Sequence, residues 1–187
     1  MNPILLEIPA ELTTPRLLLR AAQAGDGPMV LDAVRPSLAE LKPYMPWAKD
    51  EYGLDDAETW CREDAAQFIK REALAYLISL RDGGPVLGTV SAFRIDWQLP
   101  KGEIGYWLRT DQTGHGYMTE AVRALADLLF EQFKFHRLEI RCDDRNLRSG
   151  RVAELSGFAL DAVFRNDRRT RDGQLGHSRI YSRTSGD

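Results

Sequence analysis

Residues 12–20 alternate apolar and polar side chains, which is the period of a half-buried β-strand. Pro28 follows an acid and a glycine and precedes apolar residues at helical spacing, so it marks the start of a first helix. Pro36 and Pro43 then interrupt the chain. The first part of the sequence therefore predicts a strand, a helix and a loop punctuated by prolines.

A second helix is predicted in the dense acidic segment after this loop. Asp55 or Asp56 can cap it, and apolar residues at helical spacing extend it to about Glu72. Its inner face is predicted to consist of Trp60, Asp64, Phe68 and Ile69 or their neighbours. Acidic side chains near the start of a helix interact favourably with the helix dipole, so most of these acids are interpreted as a solvated face.

The remainder of the chain reads as strands separated by two more helices. Strands are predicted at residues 73–80, 86–95, 104–109 and 136–141, and a final hairpin at 158–165 and 177–183. Helical spacing predicts helices that begin near Gly114 and near Asn146, the second ended by Gly157. This order of elements predicts one α+β domain with a mixed sheet.

A polar turn with two glycines joins the strand at 104–108 to the helix that follows it. Glycines let the backbone approach a ligand, and the first amides of a helix have no partners within the helix, so an anion such as phosphate is favoured there. A plain turn that needs glycine is the competing interpretation. The turn lacks the spacing and the Lys-Ser/Thr of a P-loop. A dinucleotide fingerprint that uses Thr119 and Glu139 stays a weak alternative, because Glu139 lies in mid-strand.

The turn resembles the acetyl-CoA pyrophosphate loop of the GNAT N-acetyltransferases, in particular the branch that contains the ribosomal-protein N-terminal acetyltransferases. The residues that carry this resemblance are Gln112-x-Gly114-x-Gly116-Tyr117-Met118-Thr119-Glu120-Ala121. Three further segments match that branch in order, namely its opening strand at 14–20, its fourth strand at 103–108 and its pantetheine-side helix at 146–158. The likeness extends over roughly residues 11–183, so residues 1–187 are interpreted as a single acetyltransferase domain.

The resemblance implies a GNAT-like fold and acetyl-CoA as the cofactor. The implied fold is one mixed, mostly antiparallel sheet of about seven strands, flanked by about four helices, with a splayed central strand pair at 104–109 and 137–141. The implied cofactor-binding residues are Trp107, Leu108, Arg109, Gln112, Thr113, Gly114, His115, Gly116, Tyr117, Met118, Asn146 and Ser149. Asp111 departs from the family pattern, because an acid beside a pyrophosphate is unfavourable. Either Gln112 replaces the usual residue or Asp111 points away.

The resemblance also implies catalytic and acceptor residues. Ser149 matches the family variant in which a serine protonates the CoA thiolate, although Asn146 and Ser149 would also suit a helix start. Glu103 is the best-placed general base, acting through water, with a surface acid as the competing interpretation. Tyr44 and Trp47 resemble the acceptor-binding loop of the branch, and Glu103 would also face the acceptor. A hydrophobic lid is the alternative for the two aromatic residues.

Composition is consistent with these expectations. The 187 residues are 43% hydrophobic and 28% charged, as in an ordinary soluble domain, and Met1–Ala10 lacks the basic start of a signal peptide. Cys61 and Cys142 are too far apart in sequence to suggest a disulfide or a metal site. We therefore expect a reduced cytoplasmic protein with no metal and no membrane partner.

Basic residues are concentrated after Lys134, but they are interleaved with strand residues, so no nucleic-acid partner is expected. The resemblance also suggests a homodimer.

Three functions remain open from the sequence. The first is acetyl transfer from acetyl-CoA to the N-terminal amine of a protein, in keeping with the branch that the loop at 44–47 resembles. The second is the same transfer to a small amine such as a polyamine, an aminoglycoside or an amino acid. The third is a CoA- or nucleotide-binding module without catalysis. The second differs from the first only in the acceptor, which the sequence does not name.

Overall fold

The structure is a computed structural model that describes residues 2–186. Its helices are α1 (Gly27–Val34), the single turn α2 (Leu38–Leu41), α3 (Leu54–Lys70), α4 (Tyr117–Asp127) and α5 (Leu147–Leu155). Its strands are β1 (Glu11–Thr13), β2 (Leu17–Ala21), β3 (Leu74–Leu80), β4 (Gly88–Asp96), β5 (Lys101–Leu108), β6 (Arg137–Asp143), β7 (Ala159–Arg169) and β8 (Leu175–Thr184). Short 3₁₀ turns lie at Pro3–Leu5, Arg35–Ser37 and Thr110–Gln112, and a π turn over Leu128–Gln132 extends α4.

Within the described residues, eight strands form one sheet in the order β1-β2-β3-β4-β5-β6-β8-β7. Neighbouring strands are antiparallel except β5 and β6, which run parallel. Four helices longer than one turn flank this sheet. The predicted α+β fold with a mixed, mostly antiparallel sheet is confirmed.

The parallel pair separates along its length, as predicted. Lys101, Gly102 and Glu103 of β5 pair with β6, and beyond Glu103 the described residues of the two strands form no further pairs. From there β6 stays paired with β8 through Asp143, while β5 stays paired with β4 through Leu108. A gap therefore opens in the middle of the sheet, at the end of β5 that leads into α4.

The two faces of the sheet carry separate cores because side chains alternate along each strand. On one face Ile104 joins the larger core, which includes Val122 and Leu125 of α4. On the other face Trp107 joins a smaller core with α1 and α3, which includes Val34 and Cys61. The gap between β5 and β6 is thus an opening that connects the two faces of the sheet.

Several predicted boundaries differ from the structure for local reasons. Residues 12–20 form two strands rather than one, because Thr14 Oγ1 accepts a hydrogen bond from the Leu17 amide at 2.8 Å and turns the chain. That turn accounts for the eighth strand. Strand β5 begins at Lys101 instead of residue 104, and β7 and β8 extend the final hairpin beyond its predicted ends.

Helix ends differ by a few residues as well. Helix α4 begins at Tyr117 rather than near Gly114, and α5 begins at Leu147 with Asn146 as its N-cap. Helix α3 ends at Lys70, because Arg71 adopts a left-handed φ of 65°. Ile69 is 66% exposed while its neighbour Phe68 is 8% exposed, so the inner face of α3 includes Phe68 and not Ile69.

None of the helices in the described part of the chain combines the length and the apolar character that crossing a bilayer requires.

Candidate active site

The turn between β5 and α4 has the geometry of an anion site. Gly114 and Gly116 adopt left-handed φ angles of 84° and 77°, and no side chain caps the first turn of α4. Within residues 2–186, the backbone amides of residues 114–119 donate no hydrogen bond. Six free amides at a helix N-terminus suit a phosphate. The amides of Gln112 and Thr113, by contrast, are already donated to Arg109 O and Thr110 O within the turn.

Arg16 holds this turn from the β2 side of the sheet. Its guanidinium donates to Glu120 Oε2 at 2.6 Å and to His115 O at 2.9 Å, and it lies 4.8 Å from the centre of the Tyr117 ring. Thr14 Oγ1 donates to Glu120 Oε1 at 2.6 Å. The pKa of the Glu120 carboxyl is lowered, because these hydrogen bonds outweigh the effect of partial burial. The side chain of His115 is exposed.

Asp111 is held against Arg109 by two hydrogen bonds, from Nε to Oδ1 at 3.0 Å and from Nη2 to Oδ2 at 2.8 Å. The arginine lowers the pKa of the Asp111 carboxyl, so this acid is ionised and paired. Its charge is therefore compensated locally by Arg109. This pairing is how the chain accommodates an acid three residues before Gly114.

The backbone of β5 presents alternate residues to the gap. The Arg109 amide donates to Leu87 O at 2.7 Å, and a Cβ added to Gly88 would lie 2.1 Å from Trp107 O, so both groups point towards β4. Because polar groups alternate along an antiparallel strand, the amide and carbonyl of Leu108 point the other way, into the gap. Of the three predicted backbone contacts, the structure directs Leu108 to the gap and turns the others towards β4.

Ser149 lies across the gap on the first turn of α5. Its amide donates to Asn146 Oδ1 at 3.1 Å, so Asn146 is the N-cap. Its Oγ donates to Tyr106 Oη at 3.1 Å, and Tyr106 Oη donates in turn to Ser149 O at 2.9 Å. Cys142 also lies beside Ser149, and burial raises the pKa of its thiol. A raised pKa keeps this thiol protonated and argues against a nucleophilic role.

Two cavities meet at this point. The first, about 900 Å³, lies on the α1 and α3 face and is here named the acceptor cavity, after the acceptor that the sequence leads us to expect beside Tyr44, Trp47 and Glu103. The second, about 790 Å³, follows the α4 and α5 face past Gly114 and Gly116 and is named the cofactor cavity. Both are lined by the same six residues, here named the seam: Tyr44, Met45, Tyr106, Trp107, Asn146 and Ser149.

The floor of the acceptor cavity contains Glu103, whose side chain is 15% exposed. Glu103 forms an ion pair with Arg94 at 2.7 Å between Oε2 and Nη1. Arg94 adopts a φ of 52° at an irregularity of β4, which directs it alongside β5. Thr89 and Ser91 of β4 lie on the same face as Glu103, because they pair across from residues 107 and 105.

The wall formed by α3 is acidic and aromatic. It contributes Asp55, Asp56, Trp60 and Glu63 to the lining. Asp56 is paired with Lys49 at 2.6 Å and also accepts the Gly53 amide, and both interactions lower its pKa. A cationic group that enters the cavity therefore meets carboxylates on this side.

Residues 42–50, here named the acceptor loop, cover the seam. The Trp47 ring lies 5.8 Å from that of Trp107 and 5.5 Å from that of Tyr52, while Tyr44 lines both cavities. The loop is tied to the distant turn between β7 and β8, where Arg171 Nη1 donates to Ala48 O at 2.5 Å. The same atom lies 3.4 Å from Lys42 O.

The sequence profile of the family described as "Acetyltransferase (GNAT) domain" matches residues 16–159. The chain belongs to the GNAT acetyltransferase family. It is accordingly an N-acetyltransferase that uses acetyl-CoA and acts on an amine.

Two curated relatives carry the family likeness in sequence. The chain is 35% identical over 121 residues to the probable N-acetyltransferase YjcK of Bacillus subtilis (strain 168), which covers 64% of this chain and 67% of that protein. It is 33% identical over 87 residues to the ribosomal-protein-serine acetyltransferase of Escherichia coli (strain K12). That second alignment spans 44% of this chain and 49% of the relative.

Two solved acetyltransferase structures share the fold over nearly their whole length. One is the microcin C7 self immunity acetyltransferase MccE in complex with acetyl-CoA and AMP, with a TM-score of 0.87, 21% identity and coverage of 95% of this chain and 97% of that one. The other is RimL, a ribosomal L7/L12 α-N-protein acetyltransferase in complex with coenzyme A, with a TM-score of 0.85 and 23% identity. It covers 96% of this chain and 99% of its own.

The residues present fit the cofactor that this family uses. The six free amides at the start of α4 can take a pyrophosphate, and the polar groups of Leu108 in the gap can pair with amides of a pantetheine arm. The cofactor cavity is lined by Gly114 and Gly116 of the first site, by Leu108 of the second and by Ser149. Met118 also lines this cavity and is 5% exposed. Because its side chain is an apolar thioether, it contributes packing to the cavity wall.

The structure brings most of the predicted residues to the two cavities and adds three that sequence reasoning missed. Tyr106 lay inside the quoted fourth-strand motif, but nothing in the sequence directed its hydroxyl to Ser149. Arg16 and Arg171 act through contacts with residues 99 to 129 positions away, which no local pattern reveals.

Proposed function

We propose that this GNAT enzyme transfers the acetyl group of acetyl-CoA to the N-terminal amine of a protein. The observation that carries the proposal is the acceptor cavity of about 900 Å³, which reaches the seam from the face opposite the cofactor cavity. Its volume lies near the upper end of roughly 300–1,000 Å³ for ligand pockets, enough for a chain end of several residues. The likeness to the ribosomal-protein-serine acetyltransferase supports a protein acceptor.

We assign the cofactor side to the turn after β5. The pyrophosphate is held by the amides of residues 114–119, which include those of Gly114, His115, Gly116, Tyr117 and Met118. Gln112 and Thr113 shape the turn through their own backbone hydrogen bonds. Bound acetyl-CoA supplies a thioester carbonyl and a sulfur leaving group. Leu108 in the gap and Asn146 at the seam orient the arm that carries them.

The chain's own groups then meet the demands of acyl transfer. The Leu108 amide donates to the oxygen on which negative charge develops, which is the usual means of stabilising acyl transfer. Ser149 Oγ gives its proton to the departing sulfur, and Glu103 removes a proton from the attacking amine through water. Tyr44 and Trp47 enclose the acceptor and exclude bulk water from the seam.

The acidic wall of the acceptor cavity favours capture of the acceptor in its cationic form. The lining has an excess of acids, because Asp55, Asp56, Glu63, Glu103 and Asp143 outnumber Lys49, Arg94 and Arg141, and a cleft with an excess of one sign of charge concentrates ligands of the other sign. This feature would also attract a polyamine. Acetyl transfer to a small amine is therefore the second candidate function.

Release of free thiol from acetyl-CoA, measured over a panel of acceptors, tests the proposal. Peptides with a free N-terminus should be turned over with a higher kcat/KM than spermidine, an aminoglycoside or free amino acids. The same peptides with a formylated N-terminus serve as matched controls and should be inert. Faster turnover of a small amine would favour the second candidate, and CoA binding without turnover of any acceptor would favour a binding module.

We further propose a homodimer that works in the cytoplasm without a nucleic-acid partner. Exposed apolar side chains along the edge strand β7 support the dimer: Leu160, Val163 and Phe164 are 46–49% exposed. The location and the lack of a nucleic-acid partner stay predictions.

A further inference from the structure

The phenol of Tyr106 is joined to Ser149 by two hydrogen bonds. It donates to the carbonyl oxygen of Ser149 at 2.9 Å and accepts from Ser149 Oγ at 3.1 Å. Tyr106 lies on β5, in the stretch that has separated from β6, and it lines both cavities. Its hydroxyl is therefore at the seam, against the residue that is proposed to protonate the leaving sulfur.

The close approach of α5 to the sheet makes this contact possible. Gly150 follows Ser149, and a Cβ at this position would lie 2.6 Å from Tyr181 Oη of β8. Glycine thus lets the first turn of α5 press onto the strands. Asn146 Oδ1 fixes the same turn by accepting the Ser149 amide. The backbone of Ser149 is consequently held at its amide and at its carbonyl, while its hydroxyl is held by its side chain's hydrogen bond to the phenol.

We infer that Tyr106 is a positioning residue for acetyl transfer, acting through Ser149. The inference rests on the proposed role of Ser149. With the proton of Ser149 directed at the phenol, the lone pairs of Oγ face the seam. When that proton turns to the sulfur, the phenol proton can turn from the Ser149 carbonyl to Oγ. The serine oxygen then gains a donor as it develops negative charge, which stabilises the transition state selectively.

The surroundings keep this phenol neutral. Burial raises the pKa of Tyr106 well above its ordinary value, with a smaller opposing contribution from the Ser149 hydrogen bond. Burial likewise raises the pKa of the Cys142 thiol beside Ser149. Neither neighbour places a negative charge next to the departing thiolate, and Tyr106 stays a hydrogen-bond donor at every working pH.

A double-mutant cycle between Tyr106 and Ser149 tests the inference. The variants are Tyr106→Phe, Ser149→Ala and the pair together, with kcat and KM measured by thiol release and acetyl-CoA affinity by calorimetry. Tyr106→Phe should lower kcat by about 10–100-fold, below the effect of about 10²–10⁴-fold expected for a general acid. The KM and Kd for acetyl-CoA should stay within about twofold, because no phosphate contact is lost. The double variant should be no slower than Ser149→Ala, because residues that act as a unit are not additive.

Tyr181→Phe is the matched control. It removes a second buried phenol next to α5, one that contacts Gly150 rather than Ser149 and lines neither cavity. Its kcat should match the wild type, and thermal unfolding of all variants checks that the fold is retained. The pH profile of Tyr106→Phe should keep the wild-type limbs at a lower plateau, which a general loosening of the site would not produce.

Several results would overturn the inference. Wild-type kcat in Tyr106→Phe, or losses that multiply in the double variant, would show that the phenol does not act through Ser149. Wild-type kcat in Ser149→Ala would remove the acid assignment and this inference together, while acetyl transfer by the enzyme would still stand. An enzyme that turns over no acceptor would instead defeat the proposed function. If Tyr106→Phe does not fold, 3,5-difluorotyrosine at position 106 keeps the ring and the hydroxyl but makes the phenol more acidic and so a stronger hydrogen-bond donor to Ser149. The inference then predicts a changed kcat, and an unchanged kcat would overturn it.

Discussion

At the scale of single residues, the role of Glu103 can be tested separately from that of Arg94, its ion-pair partner, because the two side chains differ in exposure. Its carboxylate is 15% exposed on the floor of the acceptor cavity, whereas the side chain of Arg94 that pairs with it is 68% exposed. An ion pair with one solvated partner contributes little stability, about 0–1 kcal/mol. Removing the carboxylate should therefore affect catalysis more than folding.

Glu103→Gln should lower turnover most at low pH. An α-amine has a pKa of about 7.7–8.0, so at pH 6.5 most of the acceptor is protonated and a base is needed. We expect a loss of about 10²-fold in kcat/KM at pH 6.5 that shrinks towards pH 9, within the usual range for a general base. Steady-state rates across pH measure this dependence.

Arg94→Gln is the control for that experiment. It breaks the same ion pair but leaves the carboxylate in place, so its pH profile should follow the wild type. A Glu103→Gln enzyme whose pH profile parallels the wild type would contradict the base assignment.

Residue-level prediction succeeded where the chemistry is local. Asn146 caps α5 three residues before Ser149, and Gly114 and Gly116 adopt the left-handed φ angles that their turn requires. Tyr106 could not be assigned from sequence, because its hydroxyl meets Ser149 only through the packing of α5 on the sheet. The pairing of Asp111 with Arg109 is local, yet both orientations of Asp111 were open until the structure fixed one.

At the scale of elements, the turn between β7 and β8 fixes the acceptor loop. Arg171 of that turn donates to Ala48 O at 2.5 Å, across 123 residues of sequence. Asp50 lies 3.8 Å from the same guanidinium and also pairs with Lys42. The loop that carries Tyr44 and Trp47 therefore depends on an element from the far end of the chain.

Arg171→Ala should raise the KM for the acceptor by about 3–10-fold. The variant loses a charge-assisted hydrogen bond of about 1.5–3 kcal/mol, and only part of that free energy is lost from acceptor binding, because the rest serves to order the loop. The KM for acetyl-CoA should change less. Arg169→Ala is the matched control, since Arg169 donates to Gly173 O inside its own turn. Equal acceptor KM values in the two variants would contradict the role of Arg171.

Helix α3 carries an acid whose burial costs stability at neutral pH. Burial, helped by the charge of Glu63, raises the pKa of Asp64 to about 6, while a hydrogen bond from Trp60 opposes the shift. The folded state thus binds this proton more tightly than the unfolded chain, whose Asp pKa is about 3.9. Stability from this group is lost as pH rises from about 4 to about 6.

Asp64→Asn should therefore stabilise the enzyme at pH 7 by about 1–2 kcal/mol, after allowance for partial exposure of the side chain. At pH 4 the wild type is already protonated, and the two proteins should unfold at the same temperature. Calorimetric unfolding at both pH values checks this. A variant that is less stable than the wild type at pH 7 would contradict the account of α3.

At the scale of the whole molecule, the order of elements and the mixed sheet could be predicted, because apolar periodicity and turn residues depend only on residues that are close together in the sequence. The separation of β5 from β6 was predicted by resemblance to the family, and pairing that stops at Glu103 confirms it. The extra strand was missed, because a single hydrogen bond at Thr14 divides a continuous alternating pattern. Contacts such as Arg16 with Glu120, 104 residues apart, form only when the sheet is assembled.

The proposed dimer is testable through the edge strand β7. Light scattering should give about twice the 21.2 kDa of one chain, and Val163→Glu should shift the protein to the monomer because Val163 is 47% exposed on that edge. Leu99→Glu, at an exposed apolar residue between β4 and β5, is the control and should leave the mass unchanged. A mass of one chain at all working concentrations would contradict the dimer.

The central claim is that the acetyl group reaches the α-amine at the end of a polypeptide. Tandem mass spectrometry of a peptide with a free N-terminus and an internal lysine, after incubation with the enzyme and acetyl-CoA, tests it most directly. The account predicts one added acetyl group on the N-terminal nitrogen and no product from the same peptide with a blocked N-terminus. Acetylation of the lysine in both peptides, or of neither amine, would contradict it.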